Sequence, residues 1–137
     1  LDKEIIHIKN YIEIEKLRYN QGLKVKLNIK GKLKTTKIRP MLLIPLVENA
    51  FKHGARNSKK NSFINIDLLV TSKIIRFRVE NSFSKQTKPI TAQIGGIGLS
   101  NIKKRLEINY GLENFSFNTF NEKNKYIADL KINLKND

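Results

Sequence analysis

The chain has 137 residues, room for one domain with a proper core. It contains no cysteine, which excludes a disulfide framework and a thiolate metal site, and no run of about 18 apolar residues, which excludes a membrane-spanning helix here. Its 27 Lys and Arg against 12 Asp and Glu give a formal charge of +15, a balance that favours polyanions, but the lysines are scattered and single out no partner.

With no secretory signal pattern at its start, the chain is expected to be a soluble piece of a longer protein. Residues 1–19 read as a helix already under way, with Leu1, Ile5, Ile8, Ile12 and Tyr19 near one stripe. Ile6, Ile14 and Leu17 widen its apolar surface, which suggests partners on more than one side. Glu13 with Lys16 and Glu15 with Arg18 form i,i+3 pairs on its wetter side. Asn20, Gln21 and Gly22 stop it. Residues 23–29 then alternate cleanly, Leu23, Val25, Leu27 and Ile29 inward, as a half-buried strand.

Residues 40–54, P-M-L-L-I-P-L-V-E-N-A-F-K-H-G, predict a helix that opens at Pro40, bends at Pro45 and closes at Gly54 in a left-handed turn. Leu43, Leu46, Val47, Ala50 and Phe51 make its buried face. Asn49, Lys52 and His53 share the rim of that stripe, where an amide oxygen, an ammonium and an imidazole can hold a metal and an anion together. The same Lys and His can equally serve only to complement the helix dipole.

Residues 54–62 are a loop by composition, and 63–70 and 74–79 are strands of an antiparallel hairpin turning through Thr71, Ser72 and Lys73. Residues 81–94 read as irregular, a lid or a disordered segment. Gly95, Gly96 and Gly98 then form a turn leading into Leu99 and a helix over 99–110, closed by Gly111. Such a turn is either an anion site built from free N–H groups or simply a tight turn. It is neither a Walker A loop nor a dinucleotide fingerprint. A second hairpin, 115–120 with 126–134, ends the chain. About five strands and about three helices, with the strands grouped in hairpins, predict an α+β two-layer sandwich.

Three blocks carry a resemblance. P-x-L-x-x-P-L-V-E-N-A-x-K-H-G resembles the asparagine box of LytS-like sensor histidine kinases, whose ATP-binding domain belongs to the GHKL group. G-G-I-G-L-S-N-I-K-K-R-L-E-I-N-Y-G resembles their last glycine box, and I-x-x-Y-I-x-I-E-K-x-R-Y the segment after their dimerisation domain. The resemblance implies the Bergerat fold, a mixed, mostly antiparallel sheet backed by helices, with residues 1–20 ending a dimerisation or linker helix and 21–137 forming the ATP-binding domain. It implies ATP and Mg²⁺ as cofactors. Asn49 would ligate Mg²⁺, Lys52 would offset phosphate charge, and His53 would lie by the nucleotide. Asn81 would meet the adenine. Gly95, Gly96, Gly98 and Leu99 would cradle the phosphates, with 82–94 as the lid. Glu48 is a catalytic candidate for orienting water or a ligand, although one step along a helix turns it about 100° from Asn49.

This chain departs from the family pattern. Asn81 stands where the family usually has an aspartate, and no glycine follows it in Ser82-Phe83-Ser84-Lys85. An amide oxygen accepts without charge assistance, which predicts weak adenine binding. Ile94 replaces the first glycine of the usual glycine box, and the family's threonine is not evident at 126–128. His7 lacks the neighbours of a phosphoacceptor, so the acceptor histidine is expected upstream. The expected setting is the cytoplasmic domain of a membrane-anchored bacterial protein that acts as a homodimer with a response regulator, with no nucleic acid partner. Two alternatives stand beside it: a basic RNA-binding module using Gly95-Gly96-Ile97-Gly98 as a KH-like GxxG, and a degenerate kinase domain kept for protein contacts.

Overall fold

The computed structural model describes residues 1–19, 22–54, 62–83 and 90–135. Among the described residues, three helices and five strands follow one another as α1 (Asp2–Arg18), β1 (Leu23–Lys30), α2 (Ile44–Gly54), β2 (Ser62–Val70), β3 (Ile74–Ser82), α3 (Ile90–Tyr110), β4 (Phe115–Glu122) and β5 (Lys125–Asn133). The sheet order is β1-β2-β3-β5-β4; β1 and β2 run parallel and every other pair antiparallel. This is the two-layer α+β sandwich expected from the hairpins and helical stripes.

Strict alternation produces the strands. On β1, Leu23, Val25, Leu27 and Ile29 turn inward while the lysines face out. Ile64, Ile66, Leu68, Ile75, Phe77, Val79, Leu130 and Ile132 complete the inner face of the sheet. All three helices cover that face, through Ile5, Ile8 and Ile12 of α1, Leu46, Val47, Ala50 and Phe51 of α2, and Ile102 and Leu106 of α3. The opposite face is polar, with Asn28 donating to Asp67 at 3.0 Å and Arg76 forking onto Asp129 at 3.2 and 2.8 Å.

The turns use their residues as their dihedrals require. Lys123 and Asn124, at φ 45° and 63°, make the two-residue turn of the β4–β5 hairpin. Gly111, at φ 77°, closes α3, its N–H donating to Glu107 O at 3.0 Å. Gly31, at φ 114°, passes so close to Val70 O that a Cβ would stand 2.0 Å from it.

Several expectations are corrected. Helix α2 begins at Ile44, not at Pro40: residues 40–43 form a turn in which Met41 has φ 59°. Pro45 is therefore in the first helical turn, where its missing N–H removes no helical bond and causes no bend. Gly54 is helical and is not among the positive-φ glycines. Asn81 and Ser82 belong to β3 and are not irregular. The second glycine-containing helix starts at Ile90, so Gly95, Gly96, Gly98 and Leu99 lie inside α3 and not in a turn before it. Glu15, expected on the wetter side of α1, is 7% exposed. Most of the expected loop over 54–62, and residues 84–89 of the expected lid, lie outside the described residues.

Candidate functional site

Helix α2 follows from an apolar run whose stripe is buried almost completely, with Leu43, Leu46, Val47, Ala50 and Phe51 at 0–1% exposure. The rim residues follow from that register. Asn49 and His53 are half-buried and Lys52 is exposed. Glu48 falls on another side: its charge helps raise the Tyr11 hydroxyl, so it faces α1. Tyr11 also meets the Phe51 ring edge-on at 5.5 Å, and burial is the main cause that pushes its pKa up to about 12.

The C-terminal end of α2 lands on the end of β3. A Cβ on Gly54 would stand 3.0 Å from the Asn81 Cβ and 3.4 Å from its Nδ2, so any larger residue would have to push the strand side chain aside. Asn81 is 1% exposed, points to the inner face, and donates from Nδ2 to Ser82 O at 3.0 Å. Its side-chain oxygen is an uncharged acceptor. The register sets Tyr126 opposite Asn81, with Ile64 on the other flank. Burial raises the Tyr126 hydroxyl, and a bond from Thr119 opposes that rise. The Tyr126 ring lies 6.3 Å from that of Phe83. Gly54 thus ties the end of α2, the helix that carries Asn49, Lys52 and His53, to Asn81 on β3.

The glycine segment contributes differently from expectation. Helices α2 and α3 pack together, but Gly95, Gly96 and Gly98 sit within α3, where Gly98 is exposed and faces open space. A KH-like loop needs its GxxG between two helices, and α3 runs continuously through these residues. The groove between Lys30, Asp67, Arg76 and Arg78 lies on the outer face of the sheet, away from the helices and this site.

Two side chains at the start of α2 escaped the sequence analysis. Glu4, on α1, is 7% exposed and caps the turn into α2; Arg105, on α3, reaches the same turn. The available signal was position. Glu4 and Glu15 fall in line with Ile8 and Tyr11 at four-, three- and four-residue steps, so the apolar stripe of α1 carries two carboxylates. The cross-strand neighbour Tyr126 was also missed, because register is a property of the sheet.

No family model matches the chain. It is 30% identical over 83 residues to the sensor histidine kinase/phosphatase LytS of Staphylococcus aureus (strain MRSA252), covering 60% of this chain and 14% of that protein. It is 29% identical over 111 residues to the sensor histidine kinase BtsS of Escherichia coli (strain K12), covering 81% of this chain and 19% of that protein. The chain thus spans less than a fifth of the length of either relative. Its fold matches the nucleotide-free catalytic domain of histidine kinase ThkA with a TM-score of 0.68 at 20% identity, covering 97% of this chain and 91% of that one. ThkA in complex with the response regulator TrrA gives 0.66 at 19% identity, over 97% of this chain and 40% of that one. Neither alternative reading, RNA module or degenerate scaffold, is favoured by these matches. The chain is homologous to the LytS and BtsS sensor histidine kinases and has the fold of a histidine-kinase catalytic domain.

Proposed function

We propose that residues 21–137 are the ATP-binding catalytic domain of a two-component sensor histidine kinase and that residues 1–20 end its dimerisation or linker helix. The supporting observation is the junction of α2 with β3, where Gly54, the last residue of the P-x-L-x-x-P-L-V-E-N-A-x-K-H-G stretch, rests on buried Asn81, the residue that the resemblance pairs with adenine. The γ-phosphoryl group would pass to a histidine on a dimerisation domain outside these residues, in a homodimer, and then serve a response regulator. His7, exposed on α1, is not that acceptor in this reading.

The donor set fits Mg²⁺. Among the described residues no cluster of three His, Cys, Asp or Glu can hold a metal, so those residues offer no all-protein cage. Mg²⁺ typically keeps water and phosphate oxygens and takes one or two protein oxygens, here the Asn49 amide. When bound it supplies charge neutralisation for phosphoryl transfer. Lys52 adds a mobile positive charge near the phosphates, and His53 flanks them. Asn81 accepts from the adenine amino group. Gly96 and Gly98 offer phosphates their N–H groups once the first turns of α3 open. Glu48 is the candidate for orienting water or a metal ligand, although its charge also acts on Tyr11 of α1. Among the described residues no helix is long and apolar enough to cross a membrane, which suits a cytoplasmic domain tethered by segments outside the chain.

A thermal-shift measurement with Mg²⁺ and a nonhydrolysable ATP analogue tests this. Binding at a hundredfold excess over Kd stabilises the fold by about 2.7 kcal/mol. Asn49→Ala should remove that shift and leave the ligand-free melting temperature within about 2 °C, since Asn49 is only half-buried. A wild-type chain that gains nothing from the analogue would refute the assignment.

A further inference from the structure

The turn at residues 40–43 is gripped from two sides. On one side the Glu4 carboxylate of α1 accepts three backbone N–H groups: Met41 at 3.0 Å through Oε2, and Leu43 at 2.9 Å and Ile44 at 3.2 Å through Oε1. Those of Leu43 and Ile44 belong to the start of α2, where N–H groups lack helical partners and the dipole favours an anion. On the other side Arg105 of α3 donates to Met41 O at 2.7 Å and to Pro40 O at 2.8 Å. Tyr110 of α3 accepts the Arg39 N–H through its hydroxyl at 3.2 Å. Between them Met41 holds a left-handed backbone, φ 59°, that a non-glycine residue adopts only when its surroundings impose it.

All three helices therefore meet at the lead-in to α2, and α2 is the element that carries Asn49, Lys52 and His53. The backbone hydrogen bonds of an 11-residue helix fix its residues relative to one another, so its anchored end helps set where those side chains sit. A second contact of α1 with the same rod, Tyr11 against Phe51, keeps the two helices in register. We propose that Glu4, held opposite Arg105, is a positioning residue that ties α2 to α1 and thereby sets where the nucleotide-binding rim of α2 sits. The proposal rests on the nucleotide-binding reading of that rim.

Glu4→Gln is the sharper variant. Its remaining oxygen can still accept from Leu43 and Ile44, but its amide nitrogen cannot accept from Met41. Two quantities are read on the 137-residue chain: the Kd for the Mg²⁺ complex of a nonhydrolysable ATP analogue, by calorimetry, and the backbone amide shifts of Asn49, Lys52 and His53, by NMR. The expected result is a folded protein with affinity weakened roughly fivefold or more and those three amides displaced. Ile132→Val, on β5, supplies a matched loss of melting temperature and should leave Kd unchanged, which separates positioning from mere stability. A Kd within about twofold of wild type, with amide changes confined to residues 41–44, overturns the proposal. If the wild-type chain binds no nucleotide, the functional reading fails, and the three amides alone decide whether Glu4 positions α2. If Glu4→Gln does not fold, Arg105→Lys, which keeps the charge but loses the fork, is held to the same two readouts.

Discussion

Two residues show how much depends on single atoms near the site. Gly54 packs tightly over Asn81, where a Cβ would stand 3.0 Å from the Asn81 Cβ. Gly54→Ala gains about 1 kcal/mol of helix propensity but forces a methyl against a buried strand residue, which costs about 1–3 kcal/mol. The clash wins: the melting temperature should fall by roughly 2–5 °C, and nucleotide binding should weaken with it. Tyr11 gives a pH signature. Its folded pKa of about 12 lies above the ordinary tyrosine value of 10.0, so the folded state holds the phenolic proton more tightly. The associated stability is complete below about pH 10 and is lost as pH rises toward 12. Because the ring is only half-buried, the loss is well under the full linkage value. Tyr11→Phe should flatten that segment of the profile in denaturant titrations between about pH 9 and 12.

At the scale of elements, α3 is the informative case. Its N-terminal half carries Gly95, Gly96 and Gly98, each costing a helix about 1 kcal/mol relative to alanine. A Cβ at Gly98 meets nothing within 4 Å, so no steric reason in the ligand-free fold calls for glycine there. Gly98→Ala should therefore raise the ligand-free melting temperature by roughly 2–5 °C. If the segment opens to offer N–H groups to phosphates, the same change should shrink the stabilisation given by the Mg²⁺–nucleotide analogue. Stabilisation with an undiminished ligand shift would remove Gly98 from the phosphate cradle.

For the whole molecule, charge is the quantity that spans every element. A formal +15 on 137 residues destabilises the compact state by self-repulsion, and the lysines of β1 line one face of the sheet. Added sodium chloride, from about 20 to 300 mM, should raise the melting temperature of the ligand-free chain, because screening over about 6–20 Å weakens repulsion more than it weakens the few exposed ion pairs. A melting temperature that falls with salt would mean that pairs such as Arg76–Asp129 and Arg78–Glu80 outweigh the repulsion.

The sequence by itself determined the strands, the helical stripes and the hairpins, because each is a local pattern of period 2 or 3.6. The alternation of β1 and the inward set Leu99, Ile102, Leu106 and Tyr110 of α3 needed nothing beyond their own neighbours. Only the tertiary structure decided where α2 begins, why Gly54 is glycine, that Asn81 ends a strand, and that the glycine box lies inside a helix. These depend on partners far away in the chain: Glu4 reaches Leu43 across 39 positions and Arg105 reaches Met41 across 64. A buried carboxylate and a guanidinium that satisfy a turn's backbone override the local preference of Pro40 to start a helix. That preference is worth less than the three N–H and two C=O groups such partners satisfy.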